Sequence, residues 1–371
     1  MIQNQMKKRI AIIGAKGLPA QDGISRVVEE YISYITDEYN FTIFCTAAYT
    51  HRHSGYYDGY EEVVLSAIKN KRLNTLWYYI KAVWIILFCR NFDMIHFHHC
   101  DSAFLFPLVR LKYHKRILVT THGAFTKLND KWKKYRFYFY LQYRVFLKMA
   151  PNLTAVSNNE SIKTRLIINR ESEYIPNGIN PEVMISGEEI PTGYVFFAAG
   201  RIMELKGLDT MLYALIKMNY KGKVLVAGDI TYAPQDFRNK IQELSKRLDI
   251  KFLGMIKEKA RLFNYIRCAR LFIFPSVAET MSMQLLEVAS LKVPIIASDI
   301  KENTDVFSSD EILFFKTSNA DDLAEKIKFA LSNEGIMSVK AELAYKTLLQ
   351  KYTWEEISKH YARVYDKILN L

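Results

Sequence analysis

The sequence predicts an α/β protein built from two Rossmann-like domains, each a parallel sheet covered by helices, facing one another across a cleft. Two observations carry this. Short β-branched or aromatic runs alternate with longer helical patterns along the 371 residues, as strands do when crossover helices join them in parallel. The length also suits two such domains, each with its own core.

In the first half the strand-like runs are Arg9 to Ile13, Phe41 to Cys45, Met94 to Phe97, Ile117 to Thr121, Leu153 to Val156 and Glu173 to Ile175. A second series follows, with Tyr194 to Ala198, Lys223 to Val226, Lys251 to Leu253, Leu271 to Phe274, Pro294 to Ala297 and Ile312 to Phe315. Between them Pro176 to Gly193 is rich in Pro, Gly, Asn and Glu and reads as the linker. In sheets of this kind ligands bind at the carboxyl ends of the strands, which directs attention to the loops that follow them.

Composition narrows the class. Half the residues are apolar and 24% are charged, as in a folded globular protein. Met1 to Lys8 is polar, and the run from Ile10 to Gly14 is too short for a secretory signal, so a cytosolic site is expected. Cys45, Cys89, Cys100 and Cys268 show no CxxC spacing, which leaves neither a disulfide framework nor a zinc site and makes most of them expected buried thiols. The formal charge of +12 calls for an anionic partner. Two basic stretches, Lys69 to Lys81 and Lys127 to Lys148, are interleaved with Trp77, Tyr78, Tyr79, Trp84, Trp132, Tyr135, Tyr138, Tyr140 and Tyr143. Basic residues beside aromatics suit an anionic membrane surface; the other reading is that the aromatics pack inside while Lys and Arg solvate the outer face. Ala82 to Cys89, the most apolar piece, is far shorter than the roughly 20 residues of a spanning helix.

Three loops carry candidate chemistry. After the first strand comes Gly14-Ala15-Lys16-Gly17-Leu18-Pro19, then Asp22-Gly23 ahead of a helix with Val27, Val28, Tyr31, Ile32 and Ile35 on one side. Glycines let backbone approach a ligand, and the helix start offers N–H groups to an anion; a purely structural turn reads the same way. Gly200-Arg201 and Lys206-Gly207 follow a strand of the second half and place two cations in one loop, which suits a diphosphate, although a surface Arg and Lys taken alone are more often solvated than functional. Glu279 and Glu287 stand eight residues apart after the run Leu271 to Phe274. With a helix starting near Ser282, one carboxylate precedes it and the other lies a turn inside, so both can accept from hydroxyls of one ligand, with the N–H groups of Ser282, Met283 and Gln284 between them.

Together with Thr121-His122-Gly123, Ile175-Pro176-Asn177-Gly178-Ile179, Val226-Ala227-Gly228, Phe252-Leu253-Gly254 and Tyr352-Thr353-Trp354, these loops resemble the retaining glycosyltransferases of family 4 over nearly the whole chain. The resemblance implies the GT-B fold, with an acceptor-side domain over residues 1–180, a nucleotide-sugar-binding domain over 190–352, and a last helix, about 353–371, packing back on the first. It implies that Arg201 and Lys206 bind the donor diphosphate, Glu287 the ribose, and Glu279 the transferred sugar. His122 would face the reacting sugar; its plain reading is a histidine capping a strand end. Gly17 and Gly23 would close the first loop on the donor, and Ser282 and Met283 would border the diphosphate. Transfer with retention would pass through an oxocarbenium-like transition state in which the departing phosphate helps take the acceptor proton, without a protein nucleophile, metal or cofactor. The two glutamates are therefore not given the acid and nucleophile roles of a glycosidase pair.

The chain departs from the family pattern at Thr280 and Ser282, where glycines are usual, and at Gln284, where proline is frequent. Ile24-Ser25-Arg26 departs from the pattern of the rhamnosyltransferases that the first loop otherwise resembles. A metal site at His96, His98 and His99 lacks a further ligand placed by sequence, and no D-x-D motif is present; these histidines are expected to line the acceptor cleft. The expected partners are a nucleotide-sugar, a glycan or lipid-linked saccharide acceptor, and the inner face of a bacterial membrane during surface polysaccharide assembly. Competing readings are a catalytically idle partner of such an assembly, which Thr280 and Ser282 favour, and a nucleotide-sugar epimerase, which the basic aromatic stretches disfavour. Nucleic acid is not expected, since no binding motif accompanies the charge.

Overall fold

The structure, a computed structural model, describes residues 7–20, 22–123, 136–182, 184–281 and 283–370. The chain divides into two compact units: one holds Met1–Gly178 with Trp354–Leu371, the other Ile179–Thr353.

The first unit is an eight-stranded sheet. Its strands are β1 (Lys8–Ile13), β2 (Tyr39–Thr46), β3 (Gly55–Tyr57), β4 (Tyr60–Leu65), β5 (Met94–His98), β6 (Ile117–Thr121), β7 (Asn152–Ala155) and β8 (Glu173–Tyr174). They lie in the order β3-β4-β2-β1-β5-β6-β7-β8. All neighbours are parallel except β3 and β4, a hairpin in which Asp58 (φ 48°) and Gly59 (φ 89°) make the turn. The sequence reading did not include this hairpin. Its inner strand, Tyr-Glu-Glu-Val-Val-Leu, carries a fully buried Glu62 that Arg52 holds at 2.6 Å, and burial raises that carboxyl group's pKa.

One face of this sheet packs Ile13, Phe97 and Val119 against Val109, Tyr113 and Leu147. On the other lie the helices Gly23–Ser33 and Trp354–Leu369. The last helix buries Trp354, Ile357, Tyr361, Tyr365 and Ile368, spaced at three and four residues, as a one-sided helix must. Tyr361 stacks on Tyr31 of the earlier helix with ring centres 4.2 Å apart, and Tyr39 donates to Asp366 at 2.7 Å.

The second unit is a six-stranded, wholly parallel sheet of β9 (Tyr194–Arg201), β10 (Val224–Asp229), β11 (Ile250–Gly254), β12 (Ala269–Phe274), β13 (Ile295–Ser298) and β14 (Leu313–Phe315). The order is β11-β10-β9-β12-β13-β14. Its central strands are near-continuous apolar runs because both faces are covered, Phe196, Phe272 and Leu286 on one side and Phe197, Leu212 and Ile241 on the other. Each unit thus has its own core, and the two-sheet expectation is met.

Of the four cysteines, Cys45 and Cys100 are buried, Cys89 is exposed and Cys268 half-buried, so the expected burial holds for two. No helix among the described residues is long and apolar enough to cross a membrane.

Trp354 is the largest fully buried side chain of the last helix, and its ring leaves no room for a Cβ at Gly178, which would sit 2.8 Å away. Trp354→Ala is expected to cost about 3–5 kcal/mol in urea unfolding of the full chain. A loss below about 1 kcal/mol would mean the helix is not held through this residue.

Candidate functional site

In the second unit the strand order reverses beside β9: β10 lies on one side and β12 on the other, so the loops leaving β9 and β12 emerge next to each other. The backbone draws them together. Gly207 has φ 69°, and a Cβ there would fall 2.0 Å from the carbonyl oxygen of Pro275, so only glycine permits the approach. Val277 N–H donates to the Leu205 carbonyl at 2.8 Å. This places Lys206 Nζ 2.5 Å from Glu279 Oε1, across 73 residues of sequence.

Glu287 lies five residues into the helix Met283–Ser290, is almost fully buried, and faces Lys259 Nζ at 3.0 Å. Lys259 opens the helix Lys259–Arg267 that follows β11. Sequence reading passed over it; the available signal was a lysine at the start of a helix leaving the carboxyl end of a strand. Arg201 ends β9, is exposed, and holds its guanidinium 5.8 Å from the centre of the Tyr232 ring. Of the predicted residues, Lys206 and Glu279 therefore touch, Glu287 pairs with an unanticipated lysine, and Arg201 contacts neither carboxylate. Met283 begins the helix, and Ser282 lies outside the described residues.

In the first unit the reversal falls between β1 and β5. Gly14, at φ 125°, packs where a Cβ would meet the His98 carbonyl oxygen at 1.9 Å. Gly17 is similarly required by the Tyr49 carbonyl, 2.1 Å from its would-be Cβ, whereas Gly23 has open space around it. The helix start that was expected to offer free N–H groups is partly occupied: Asp22 Oδ1 accepts from Ile24 N and Ser25 N, each at 3.0 Å.

His122 follows β6 and is half-buried. Its Nε2 sits 3.1 Å from His98 Nδ1. Burial, then the neighbouring His99, lowers its pKa to about 3. His96 and His98 are wholly buried, and burial first, then the neighbouring His122 for His96 and the neighbouring His96 and His122 for His98, lowers their pKa values and keeps them neutral. The expectation that they line a cleft is corrected: both side chains project from β5 under the helices Gly23–Ser33 and Trp354–Leu369, where Tyr31 and Tyr365 hydrogen-bond them. His99 turns away, at φ 95°, to Asp101. Of the basic aromatic stretches, Tyr78, Tyr79 and Tyr143 are buried, while Trp77, Trp84, Tyr138 and Tyr140 are exposed. Lys127, Trp132 and Tyr135 lie outside the described residues.

Two α/β units, each with its loops gathered at a strand-order reversal, make up the GT-B fold, and the second bears two lysine–carboxylate pairs at those loops. Two family models fit end to end: Glycosyltransferase Family 4 over residues 21–183 and Glycosyl transferases group 1 over residues 182–347. The chain is accordingly a family-4-like glycosyltransferase. It is 34% identical over 251 residues to the putative teichuronic acid biosynthesis glycosyltransferase TuaC of Bacillus subtilis, covering 63% of this chain and 60% of that one. Among solved structures, the sucrose-phosphate synthase of Thermosynechococcus elongatus superposes with a TM-score of 0.81 at 18% identity, covering 98% of this chain and 100% of that one. HepE of Anabaena, crystallised with UDP-glucose, gives 0.74 at 14% identity, covering 97% and 100%.

The neutral histidines make stability pH-dependent. Their folded pKa values are depressed, so an unfolded chain takes up protons near its ordinary value of about 6.5 that the folded chain refuses. Stability is full above that value and falls as pH drops below it, by up to about 1.4 kcal/mol per pH unit for each histidine. Urea midpoints measured from about pH 7.5 down to about pH 5.5 should decline; a flat profile would show that these rings accept protons in place.

Proposed function

We propose that the chain moves a hexosyl group from a nucleoside-diphosphate sugar to a hydroxyl of a lipid-linked saccharide, with retention, during assembly of a bacterial surface polysaccharide at the inner face of the cytoplasmic membrane. The observation that carries this reading is the 2.5 Å contact of Lys206 with Glu279. An ammonium with three donors beside a carboxylate can hold a phosphate oxygen while the carboxylate accepts from a sugar hydroxyl, the two chemistries that a sugar diphosphate offers side by side. Glu287 and Lys259 extend the same alternation toward a ribose. HepE in complex with UDP-glucose and the teichuronic acid assignment of TuaC support a nucleotide-sugar donor and a surface-polymer product.

In the reaction the bond from the anomeric carbon to the diphosphate oxygen breaks as the acceptor oxygen bonds to the same face. The acceptor proton passes to the departing phosphate. Arg201 and Lys206 stabilise the charge growing on that phosphate, with no call for a metal ion.

A lipid-borne acceptor agrees with the surface of the helix Lys71–Trp84 and the turn Ile85–Cys89. Leu73, Trp77, Ile80, Trp84 and Phe88 are all exposed and fall on one side at helical spacing, with Lys81 over the Trp77 ring at 4.8 Å. Apolar side chains bordered by lysine, on a chain of net charge +12, fit anionic lipid.

A thermal-shift series with UDP, GDP, dTDP and their sugars should single out one base, with about 2.7 kcal/mol of stabilisation when ligand reaches about a hundred times its Kd. Glu287→Ala should remove most of that gain. Arg201→Ala combined with Lys206→Ala should lower turnover by about a hundredfold or more while the protein stays folded; near-normal turnover would reject the diphosphate assignment. Trp84→Glu with Phe88→Glu should weaken co-sedimentation with phosphatidylglycerol vesicles about tenfold or more. Equal sedimentation of the variant and parent would place the membrane contact elsewhere.

A further inference from the structure

The first unit contains a chain of buried hydrogen bonds that no sequence motif announced. Thr154 Oγ1 lies 2.6 Å from Thr120 Oγ1, which lies 2.7 Å from His96 Nε2. The other nitrogen of that ring, Nδ1, is 2.8 Å from the Tyr365 hydroxyl, itself 2.8 Å from the Tyr31 hydroxyl. Tyr31 continues to His98 Nε2 at 3.2 Å, and His98 Nδ1 reaches His122 Nε2 at 3.1 Å. Every member but the last is fully buried. A longer contact, Tyr31 to His96 Nδ1 at 3.4 Å, runs alongside, and the buried Tyr361 hydroxyl joins the row as a side branch at Thr120.

Each hydroxyl brings one proton, and each neutral imidazole brings one N–H and one lone pair. In such a row a group that accepts from one neighbour donates to the next, so the protons all point one way or all point the other. The end at Thr154 selects the direction. Among the described residues its hydroxyl has Thr120 as its one partner. If the row ran toward Thr154, Thr120 would accept from His96 and could take the proton of only one of Thr154 and Tyr361, leaving the other hydroxyl proton buried without an acceptor; if it runs away, Thr120 donates to His96 and can accept from both.

We propose that this row runs from Thr154 to His122 and fixes His122 in the Nδ1–H tautomer, making it a neutral hydrogen-bond donor to a ligand oxygen and not a base. The assignment rests on the glycosyltransferase reading only in naming the ligand. His98 donates its Nδ1–H to His122 Nε2, leaving Nδ1–H as the polar group of His122 directed elsewhere. His98 is thus a positioning residue, as are Tyr31 and, from the last helix of the same unit, Tyr365. The last helix thereby contributes to the state of a side chain it does not touch. Placed against a sugar hydroxyl or a phosphate oxygen, His122 would donate without changing charge.

The test is the proton position itself. In the full chain labelled with ¹⁵N-histidine, two-bond ¹H–¹⁵N correlation spectra distinguish protonated from bare ring nitrogens. His96, His98 and His122 are all expected as Nδ1–H, assigned by single substitutions. Any of the three found as Nε2–H, or averaging between forms, overturns the proposal. His98→Asn keeps an amide donor where Nδ1 stood and should leave His122 as Nδ1–H. His98→Asp puts an acceptor there and should draw a proton onto His122 Nε2. An unchanged His122 in a folded His98→Asp protein would also overturn it; should that variant not fold, the parent spectra decide. With UDP-glucose as probe, His98→Asn is expected within about tenfold of parental turnover and His98→Asp about a hundredfold below it. Absence of turnover in the parent would count against the transferase reading with that donor, while the spectra would still settle the proton row.

Discussion

The contact between Lys206 and Glu279 depends on almost everything else in the second unit. Two residues 73 apart in sequence meet at 2.5 Å because β9 and β12 are neighbours while the chain between them has gone out to β10 and β11 and returned. The reversal alone brings the loops side by side. Closing the remaining distance needs a residue without a side chain at Gly207, where backbone meets backbone, and one cross-loop hydrogen bond from Val277 to Leu205. A parallel sheet buried on both faces supplies the rigid frame. Flexible loops alone would spend much of the gain from an ion pair on ordering two long side chains.

The first unit solves a different problem. Its sheet carries imidazoles and hydroxyls on the face beneath the last helix, where an apolar core would be simpler. A buried polar group without a partner costs more than its hydrogen bond returns, so such a cluster persists only when its members satisfy one another. Here Tyr31, Tyr365, His96, His98, Thr120 and Thr154 do so in series. The same arrangement, by its burial, keeps the rings neutral. It also makes the last helix, which returns from the far side of the second unit's sequence, a working part of the first unit rather than a cover.

Much of this was legible in the sequence, for identifiable reasons. Twelve strand-like runs stood out because strands buried on both sides are short, β-branched and bounded by turns. The β3–β4 hairpin escaped because β4 holds two glutamates in a row, one of them buried on Arg52, and no pattern of apolar residues announces an internal ion pair. Asp58-Gly59 was the readable clue. Glu279 and Lys206 were found by the loops they occupy, but Lys259 was not, since a lysine near a helix start looks like any solvated lysine until Glu287 is seen against it. His96 and His98 were read correctly as sharing a strand face and incorrectly as facing a cleft. Alternation reports which side chains travel together; only the packed helices report what covers them.

The charges at the second unit's loops show why pairing matters before any ligand arrives. Lys206 is already matched to Glu279 and Lys259 to Glu287, while Arg201 rests against an aromatic ring. An unpaired cluster of cations would repel itself and spread into solvent. Carboxylates hold the two lysines in place at little cost, because both lysines keep part of their surface in water. On the proposed reading, a diphosphate entering such a site would not have to gather the cations; it would need only to take a share of an ammonium whose three protons exceed what one carboxylate oxygen uses. The carboxylates, sharing that contact, would then accept from hydroxyls as well. On the proposed reading, recognition of both halves of a sugar diphosphate would be one exchange of partners within a framework that is already assembled, which is the form of preorganisation that lowers the cost of binding and leaves more of the interaction for the transition state.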